Sequence, residues 1–291
     1  MSSDFTVSRF FRETWSLLSL FLLPSKNRTS SVYELLGKHN NLAEESLYLN
    51  LGYWKSANGY DEACEALAEE LAQVAALKSG ETVLDVGCGF GDQDNYWLTK
   101  YDLARVTAIN VTELQLEHAR TRFTDNRLRF EYASAIDLPY DEAQFDKVLA
   151  LESAFHFNTR EDFFPQAFRV LKPGGRIALA DCISRQNEFS WFERVKLYFG
   201  RSFWQIPMAN MYNAEKYAEK MRAAGFEEVE VHSIAEHVFQ GFKKFAITRS
   251  KDAEVVKRTH PMLRKMWAAQ HDGYKNLDYV LVTAKKKKDL S

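Results

Sequence analysis

The stretch from 83 to 92 reads VLDVGCGFGD, where a strand-forming run passes directly into glycines at positions 87, 89 and 91. A strand, a glycine-rich turn and a following helix create a ligand site at the carboxyl end of the strand. The glycine spacing is G-x-G-x-G, whereas a dinucleotide fingerprint has its third glycine one place later, where this chain has Asp92. Because a carboxylate there repels a pyrophosphate, the loop disfavours a nicotinamide dinucleotide.

Two further features of the loop narrow the ligand. Asp85, ahead of the first glycine, also opposes a phosphate and suits a ligand with a positively charged end. The loop contains no Gly-Lys-Ser/Thr sequence, which excludes a P-loop. S-adenosylmethionine meets these demands, since it combines a zwitterionic amino acid, a sulfonium, a ribose and an adenine without any phosphate.

Strand and helix patterns alternate along most of the chain. Strands are predicted over 81–87, 105–110, 128–135, 145–153, 176–182, 227–234 and 277–286, and helices over 61–77, 92–101, 112–123, 163–175 and 213–226. Such alternation implies βαβ units and a parallel sheet. The sequence therefore predicts an α/β fold with seven strands, mostly parallel, and helices on both faces.

The domain organisation follows from where this alternation begins and stops. Residues 1–59 are predicted to form an N-terminal helical extension or lid, and residues 60–291 the main domain. Aromatic-rich helical insertions are predicted at about 183–225 and 235–276. A hydrophobic fraction of 46% supports a core of normal size, and a net charge of −2 gives no field that favours a nucleic-acid partner.

The N-terminal segment and the cysteines bear on location. The apolar run from 17 to 23 is far shorter than the roughly 20 residues of a membrane-spanning helix, and no small-residue cleavage site follows it. Residues 5–23 are interpreted either as a helix packed on the main domain or as a peripheral contact with a membrane or partner, a homodimer included. Three cysteines without metal or disulfide spacing suit the cytoplasm.

Two motifs together resemble one family. VLDVGCGFGD resembles the cofactor loop of the class I S-adenosylmethionine-dependent methyltransferases, and RVLKPGGRIALAD (169–181) resembles their Pro-Gly-Gly signature ahead of strand five. The resemblance covers roughly residues 60–182. It implies a Rossmann-like sheet and S-adenosylmethionine as the cofactor.

The resemblance also implies which residues bind that cofactor. In the family, strand two usually ends in an acid that holds the ribose hydroxyls, but this chain has Asn110 there, with Gln115 close enough to share the task. The acid that often meets the adenine amine is likewise replaced, by Ser134 and its neighbours. The full set of expected cofactor contacts is Asp85, Gly87, Cys88, Gly89, Asn110, Val111, Gln115, Ser134, Ala135, Ile136 and Leu151.

The segment after strand four supplies the candidate catalytic group. LALESAFHFN (149–158) leaves that strand at the methyl end of the cofactor, and His156 is predicted as the general base for an acceptor hydroxyl. Asp181, predicted at the end of strand five, would hold the acceptor hydroxyl or orient the histidine. A structural role stays open for both residues. No histidine has the spacing of a metal ligand, so no metal is expected.

The acceptor is expected to be large and apolar. LNLGYWKSANGYDEACEAL (49–67) and LESAFHF (151–157) are similar to bacterial natural-product methyltransferases that act on sugars of macrolides and indolocarbazoles. Sterol, tocopherol and isoprenoid C-methyltransferases share much of this pattern. Aromatic residues cluster in the segments that would cover the acceptor. The predicted acceptor contacts are Tyr53, Trp54, Phe155 and Trp191.

The leading hypothesis is O-methylation of a hydrophobic small molecule by direct in-line transfer. The alternatives are C-methylation of an isoprenoid or lipid-like alkene through a carbocation, and a catalytically silent scaffold that binds the cofactor. Nucleic-acid methylation is disfavoured, because no N/D-P-P-Y/F motif follows strand four.

Overall fold

A computed structural model describes residues 6–22, 40, 42, 45–192, 204–269 and 274–288. Seven strands form one sheet in the order β3-β2-β1-β4-β5-β7-β6. The strands are β1 Thr82–Val86, β2 Arg105–Asn110, β3 Leu128–Tyr132, β4 Phe145–Leu151, β5 Leu171–Ser184, β6 Glu227–Ser233 and β7 Leu277–Lys285. The first five pair in parallel, and β7 runs antiparallel to β5 and β6. The predicted α/β fold with a mostly parallel sheet is confirmed.

Helices cover both faces of this sheet. They are α1 Val7–Leu22, α2 Tyr60–Ala75, α3 Asp92–Tyr101, α4 Glu113–Arg122, α5 Arg160–Val170, α6 Ala214–Ala223, α7 Ala235–Arg249, α8 Ala253–Arg258 and α9 Pro261–Ala268. Alternate residues of the central strands face opposite cores, as the two-residue period of a strand requires. In β4, Leu149 packs with α2, α3, α4 and α7, whereas Val148 packs with α5 and α6.

The boundary between α5 and β5 differs from the prediction. The sequence favoured a helix over 163–175, but α5 begins at Arg160 and ends at Val170. A capping box starts the helix early, because Thr159 accepts a hydrogen bond from the Asp162 N–H and the Asp162 side chain accepts one from the Thr159 N–H. The Pro-Gly-Gly residues then lie in an irregular first part of β5, where the register with β4 shifts.

β5 also continues beyond its predicted end, and this changes the surroundings of Asp181. The strand pairs with β7 through Ser184, so Asp181 lies inside it and is fully buried. Its Oδ2 accepts hydrogen bonds from Arg160 Nε at 2.7 Å and from the Tyr217 hydroxyl at 2.9 Å. Arg160 also donates to the backbone carbonyls of Asn210 and Cys182. This ion pair therefore joins α5, β5 and α6.

The N-terminal helix presents a stripe of exposed apolar side chains. Val7, Phe11 and Trp15 lie one turn apart and are 74%, 67% and 65% exposed. The other side of α1 contacts the start of α9, where Thr14 lies 3.0 Å from His260 and Phe10 stacks on the same ring. Contact of residues 5–23 with a membrane or a second copy stays a prediction. None of the helices in the described ranges has the length and apolar character needed to cross a membrane.

The segment before α2 packs between the sheet and the second insertion. The Leu47 N–H donates to Asp92 Oδ1 at 3.3 Å, and the Trp54 indole donates to the Leu51 carbonyl at 2.7 Å. Helices α7, α8 and α9 occupy most of the predicted insertion at 235–276, and their apolar side chains form a third core with Tyr48 and Tyr60. Residues 193–203, in the first part of the insertion predicted at about 183–225, lie outside the described residues. The division between residues 59 and 60 stays a prediction.

Replacing Asp181 with Asn should destabilise the fold. The change leaves the Arg160 guanidinium buried without its counter-charge, so we expect the free energy of unfolding in urea to fall by about 3 kcal/mol or more. The exposed pair Lys216–Glu219 provides the control, since Glu219→Gln should leave the unfolding curve unchanged. An unchanged curve for Asp181→Asn would contradict the structural role of this ion pair.

Candidate active site

A cavity of about 410 Å³ opens at the carboxyl ends of β1, β2 and β4, the position at which parallel α/β sheets bind ligands. This volume falls within the range of small-molecule sites. Five segments of the described chain line it: one precedes α2, and the other four lie at or just after the ends of β1, β2, β3 and β4. The lining residues are Leu47, Leu49, Asn50, Val86, Gly87, Gly89, Phe90, Gln93, 109–112, Gln115, 132–136, 151–153 and 156–158.

The glycine loop forms one wall of the cavity through a close contact with the turn after β4. Gly87 has φ +96°, and a Cβ added there would lie 2.3 Å from the Cβ of Ser153. Ser153 in turn donates its hydroxyl to the Val86 carbonyl. Gly89 also has a positive φ, of +57°, but an added Cβ would meet open space. The loop therefore leaves room for a ligand beside its backbone.

Asp85 and Cys88 lie beneath the loop and do not line the cavity. Both are fully buried. Asp85 Oδ2 accepts a hydrogen bond from Gln93 Nε2 at 3.1 Å, and Asp85 lies beside Asp94. Burial raises the pKa of both carboxyl groups; the Asp85 charge raises that of Asp94 further, whereas hydrogen bonds with Gln93 and Asp94 act against the shift of Asp85. Direct contact of Asp85 or Cys88 with the cofactor stays a prediction, and their observed role is to support the loop.

Asn110 and Gln115 form an amide pair at the end of β2. Asn110 Nδ2 donates to Gln115 Oε1 at 2.8 Å, and Asn110 Oδ1 accepts the Val111 N–H at the same distance. Gln115 Nε2 is buried and has no hydrogen-bond partner within the described part of the chain. Buried polar atoms are nearly always paired, so this donor suits a ligand hydroxyl. The pair fits the ribose of the cofactor, with an uncharged contact in place of the usual acid.

The segment after β3 forms the opposite end of the cavity. Ser134, Ala135 and Ile136 line it, and the turn is closed by a hydrogen bond from the Asp137 N–H to the Ser134 carbonyl. The Tyr132 side chain, 60% exposed, stands at this rim. Contact of these backbone groups and the Ser134 hydroxyl with an adenine stays a prediction.

His156 lines the cavity on a 3₁₀ turn, Ala154–His156, just after β4. Burial lowers its pKa to about 3, backbone groups of Gln205 and Trp204 act in the opposite direction, and the nearby Arg160 charge lowers it further. The imidazole is therefore neutral near pH 7. This environment opposes the predicted general-base role, because the imidazolium that a base must form is disfavoured. A neutral ring nitrogen still accepts a hydrogen bond.

Several predicted residues lie away from the cavity. Asp181 belongs to the buried ion pair with Arg160. Tyr53 packs against His237, Trp54 packs against Tyr60 and Phe245, and the Phe155 carbonyl accepts a hydrogen bond from Asn210. Trp191 is 70% exposed. Acceptor contact by Tyr53, Trp54, Phe155 and Trp191 stays a prediction, and in this structure the first three serve the core.

Two parts of the cavity lining are absent from the predicted site residues: Glu152, and the segment before α2 that is called the roof below. Leu47, Leu49 and Asn50 line the cavity from above, although the sequence placed the acceptor contacts at the neighbouring aromatic residues. Glu152, which is absent from the residues predicted to contact the cofactor or the acceptor, lines it immediately after β4. Its position directly after a central strand was the available signal. Across the described residues, no three or more His, Cys, Asp or Glu side chains are grouped to hold a metal ion.

Replacing Gly87 with Ala should abolish cofactor binding. The added methyl group collides with Ser153 and occupies a backbone conformation that L-residues rarely adopt. Gly80→Ala is a matched control, because Gly80 has a similar φ of +79° but open space around its Cβ. Calorimetry with S-adenosylhomocysteine should show no binding to the first variant and ordinary binding to the second. Equal binding by both variants would contradict the proposal that the glycine loop at Gly87 forms part of the cofactor site, which is called the cofactor cradle below.

Comparison with known proteins agrees with this geometry. A family model described as a methyltransferase domain matches residues 84–179, the segment that carries the glycine loop and most of the cavity. Erythromycin 3''-O-methyltransferase of Saccharopolyspora erythraea is 36% identical over 276 residues, covering 89% of this chain and 90% of that protein. The 27-O-demethylrifamycin SV methyltransferase of Amycolatopsis mediterranei is 32% identical over 256 residues, covering 82% and 89%.

Solved structures share the fold. The [4+2]-cyclase SpnF has a TM-score of 0.72 and 24% identity, covering 91% of this chain and 97% of that one. The Haemonchus contortus phosphoethanolamine N-methyltransferase 2, in complex with S-adenosyl-L-methionine, has a TM-score of 0.68 and 17% identity, covering 92% and 59%. The cavity, its glycine cradle and the similarity along nearly the whole chain lead to one assignment: this chain belongs to the S-adenosylmethionine-dependent methyltransferases.

Proposed function

We propose that this methyltransferase acts on a hydroxyl group of a hydrophobic small molecule. The observation that carries the proposal is the composition of the cavity wall beyond the cofactor cradle. Leu47, Leu49 and Phe157 give that wall an apolar surface, and His156 and Glu152 add polar groups. Such a wall suits an apolar acceptor that presents one polar atom.

The names of the relatives support oxygen as the acceptor atom. Two of the bacterial relatives are an erythromycin 3''-O-methyltransferase and a 27-O-demethylrifamycin SV methyltransferase. A further relative, from Penicillium expansum, is an O-methyltransferase that is 28% identical over 243 residues. The similarity to all three spans 80% or more of this chain.

The cofactor supplies a methyl group on a sulfonium, and the residues of this chain align the acceptor with it. Gly87 and Gly89 leave space for the methionine end, and Asn110 and Gln115 hold the ribose. The roof at Leu47 and Leu49 keeps water from the reacting atoms. Alignment of this kind is the main contribution of an enzyme to an in-line displacement. His156, as a neutral imidazole, accepts a hydrogen bond from the acceptor hydroxyl and orients its oxygen.

The structure favours oxygen over an alkene carbon as the acceptor. A carbocation route requires aromatic faces around the reacting carbon. Tyr53 and Trp54 pack in the core instead, and among the described residues the aromatic side chains that line the cavity are Phe90, Tyr132 and Phe157. Tyr132 and Phe90 belong to the cofactor end, which leaves Phe157 near the acceptor.

A screen of acceptors by mass spectrometry tests the function. Purified protein with S-adenosylmethionine is offered macrolides and other apolar compounds that carry sugar hydroxyls, and in parallel isoprenoid alkenes without hydroxyls. We expect a mass gain of one methyl group on a hydroxylated compound, with the methyl carbon attached to oxygen by NMR. Methylation of an alkene carbon alone would overturn the proposal in favour of C-methylation.

Replacing His156 with Phe should impair acceptor alignment while sparing the cofactor. The ring volume is kept but the hydrogen-bond acceptor is lost, so kcat/KM for the acceptor should fall by about 10-fold, the worth of one ordinary hydrogen bond. The affinity for S-adenosylhomocysteine should not change. His232→Phe, on the exposed strand β6, is the control and should leave both quantities unchanged. An unaltered kcat/KM for His156→Phe would remove this residue from the acceptor site.

A further inference from the structure

Glu152 differs from the other described residues of the cavity lining in its charge and its backbone conformation. Among the described lining residues it is the one carboxylate. It follows the last residue of β4 and has φ +50°, a conformation that is uncommon for a residue with a side chain. Its N–H donates to the Ala180 carbonyl at 2.8 Å, which fixes this backbone against β5. The chain therefore holds this carboxylate at the carboxyl end of β4, beside the cofactor loop.

Two donors fix one oxygen of the carboxylate. Glu152 Oε1 accepts the Leu51 N–H at 2.6 Å and the Tyr279 hydroxyl at 2.7 Å. Leu51 belongs to the roof segment and Tyr279 to β7, so the side chain is anchored from two separate elements. Both hydrogen bonds go to Oε1, and within the described part of the chain Oε2 accepts none. A carboxylate fixed through one oxygen is preorganised to accept a proton from a bound molecule at its other oxygen.

We propose that Glu152 accepts the proton of the acceptor hydroxyl during methyl transfer, while His156 orients that hydroxyl. The inference rests on the proposed O-methylation. The acceptor O–H bond breaks and its proton passes to Glu152 Oε2. An oxygen electron pair forms the new bond to the methyl carbon, and the pair of the broken carbon–sulfur bond stays on sulfur, which becomes a neutral thioether. Charge and atoms balance without a further reactant.

The protonation behaviour of Glu152 agrees with this role. Burial raises its pKa to about 7, and the hydrogen bonds from Leu51 and Tyr279 act in the opposite direction. Near neutral pH the group is therefore partly ionised and matched to proton transfer, as an efficient general base must be. The neighbouring Asp181 charge raises the value further and is itself paired with Arg160.

The other titratable neighbours do not compete for this proton near pH 7. Burial raises the pKa of each of them, so each stays neutral. They are Tyr60 and Cys64 from α2, Cys182 from β5 and Tyr279 from β7. Asp85, whose pKa burial also raises, is fully buried and does not line the cavity.

The decisive experiment is the pH profile of kcat/KM for a hydroxyl acceptor, measured at saturating S-adenosylmethionine. In the unmodified protein the rate should rise with pH to a plateau, with a midpoint near 7, because Glu152 must be ionised. Glu152→Gln should lower the plateau by about 10²-fold and abolish the rise. His156→Phe should keep the midpoint. A rise that persists in Glu152→Gln would overturn the proposal.

Tyr279→Phe provides a second test that leaves the carboxylate in place. The lost hydroxyl donates to the ionised form of Glu152, so its removal should raise the pKa of Glu152 and move the midpoint to higher pH. A change in the plateau without a shift of the midpoint would count against the assignment. Thermal unfolding shows whether either variant has lost its fold.

Two controls separate this role from others. Glu69 accepts hydrogen bonds from the hydroxyls of Tyr96 and Tyr101 at 3.0 Å and lies outside the cavity lining, so Glu69→Gln should keep the full pH profile. S-adenosylhomocysteine should bind Glu152→Gln with unchanged affinity. A loss of that affinity with an intact pH profile would assign Glu152 to the cofactor instead. Failure of the unmodified protein to methylate any hydroxyl would overturn the proposed function itself, before any variant is compared.

Discussion

The contact between the β1 loop and the turn after β4 determines where the rest of the site lies. Gly87 approaches Ser153 so closely that no side chain fits between them, and the Ser153 hydroxyl bonds back to the end of β1. Because β1 and β4 are neighbouring parallel strands, this contact places the glycine loop and residues 152–156 along one cavity wall. The glycine loop and the groups proposed to meet the acceptor therefore lie on two sides of the same backbone contact.

Because Glu152 and His156 are buried, their contributions to the stability of the fold change with pH in opposite directions. The pKa of Glu152 is raised above its unfolded value, so its contribution favours the fold at acidic pH and is lost as the pH rises through about 7. The pKa of His156 is lowered to about 3, so its contribution is lost as the pH falls below its usual value toward 3. The site therefore keeps a chargeable carboxylate and a neutral imidazole in one cavity at a cost to stability.

The parts of the site that the sequence predicted are local to strand ends. The glycine loop, Asn110 and Ser134 each lie at or just after the end of a strand, and parallel strands bring their carboxyl ends to one edge of the sheet. Asp181 could not be placed in this way, because its burial depends on the long pairing of β5 with β7 and on Arg160 from α5. The environment of Trp54 could not be predicted for the same reason, since helix α7, far away in the chain, supplies the core in which Trp54 packs. Contacts between segments far apart in the chain leave no local pattern.

A crystal structure with S-adenosylhomocysteine and a hydroxylated acceptor tests the central claim most directly, that one cavity holds both molecules across the Gly87–Ser153 contact. The account predicts the ribose within hydrogen-bond distance of Gln115, the amino-acid end beside Gly87, and the acceptor hydroxyl between the sulfur and Glu152. A ribose bound elsewhere, or an acceptor hydroxyl turned away from both Glu152 and His156, would contradict it.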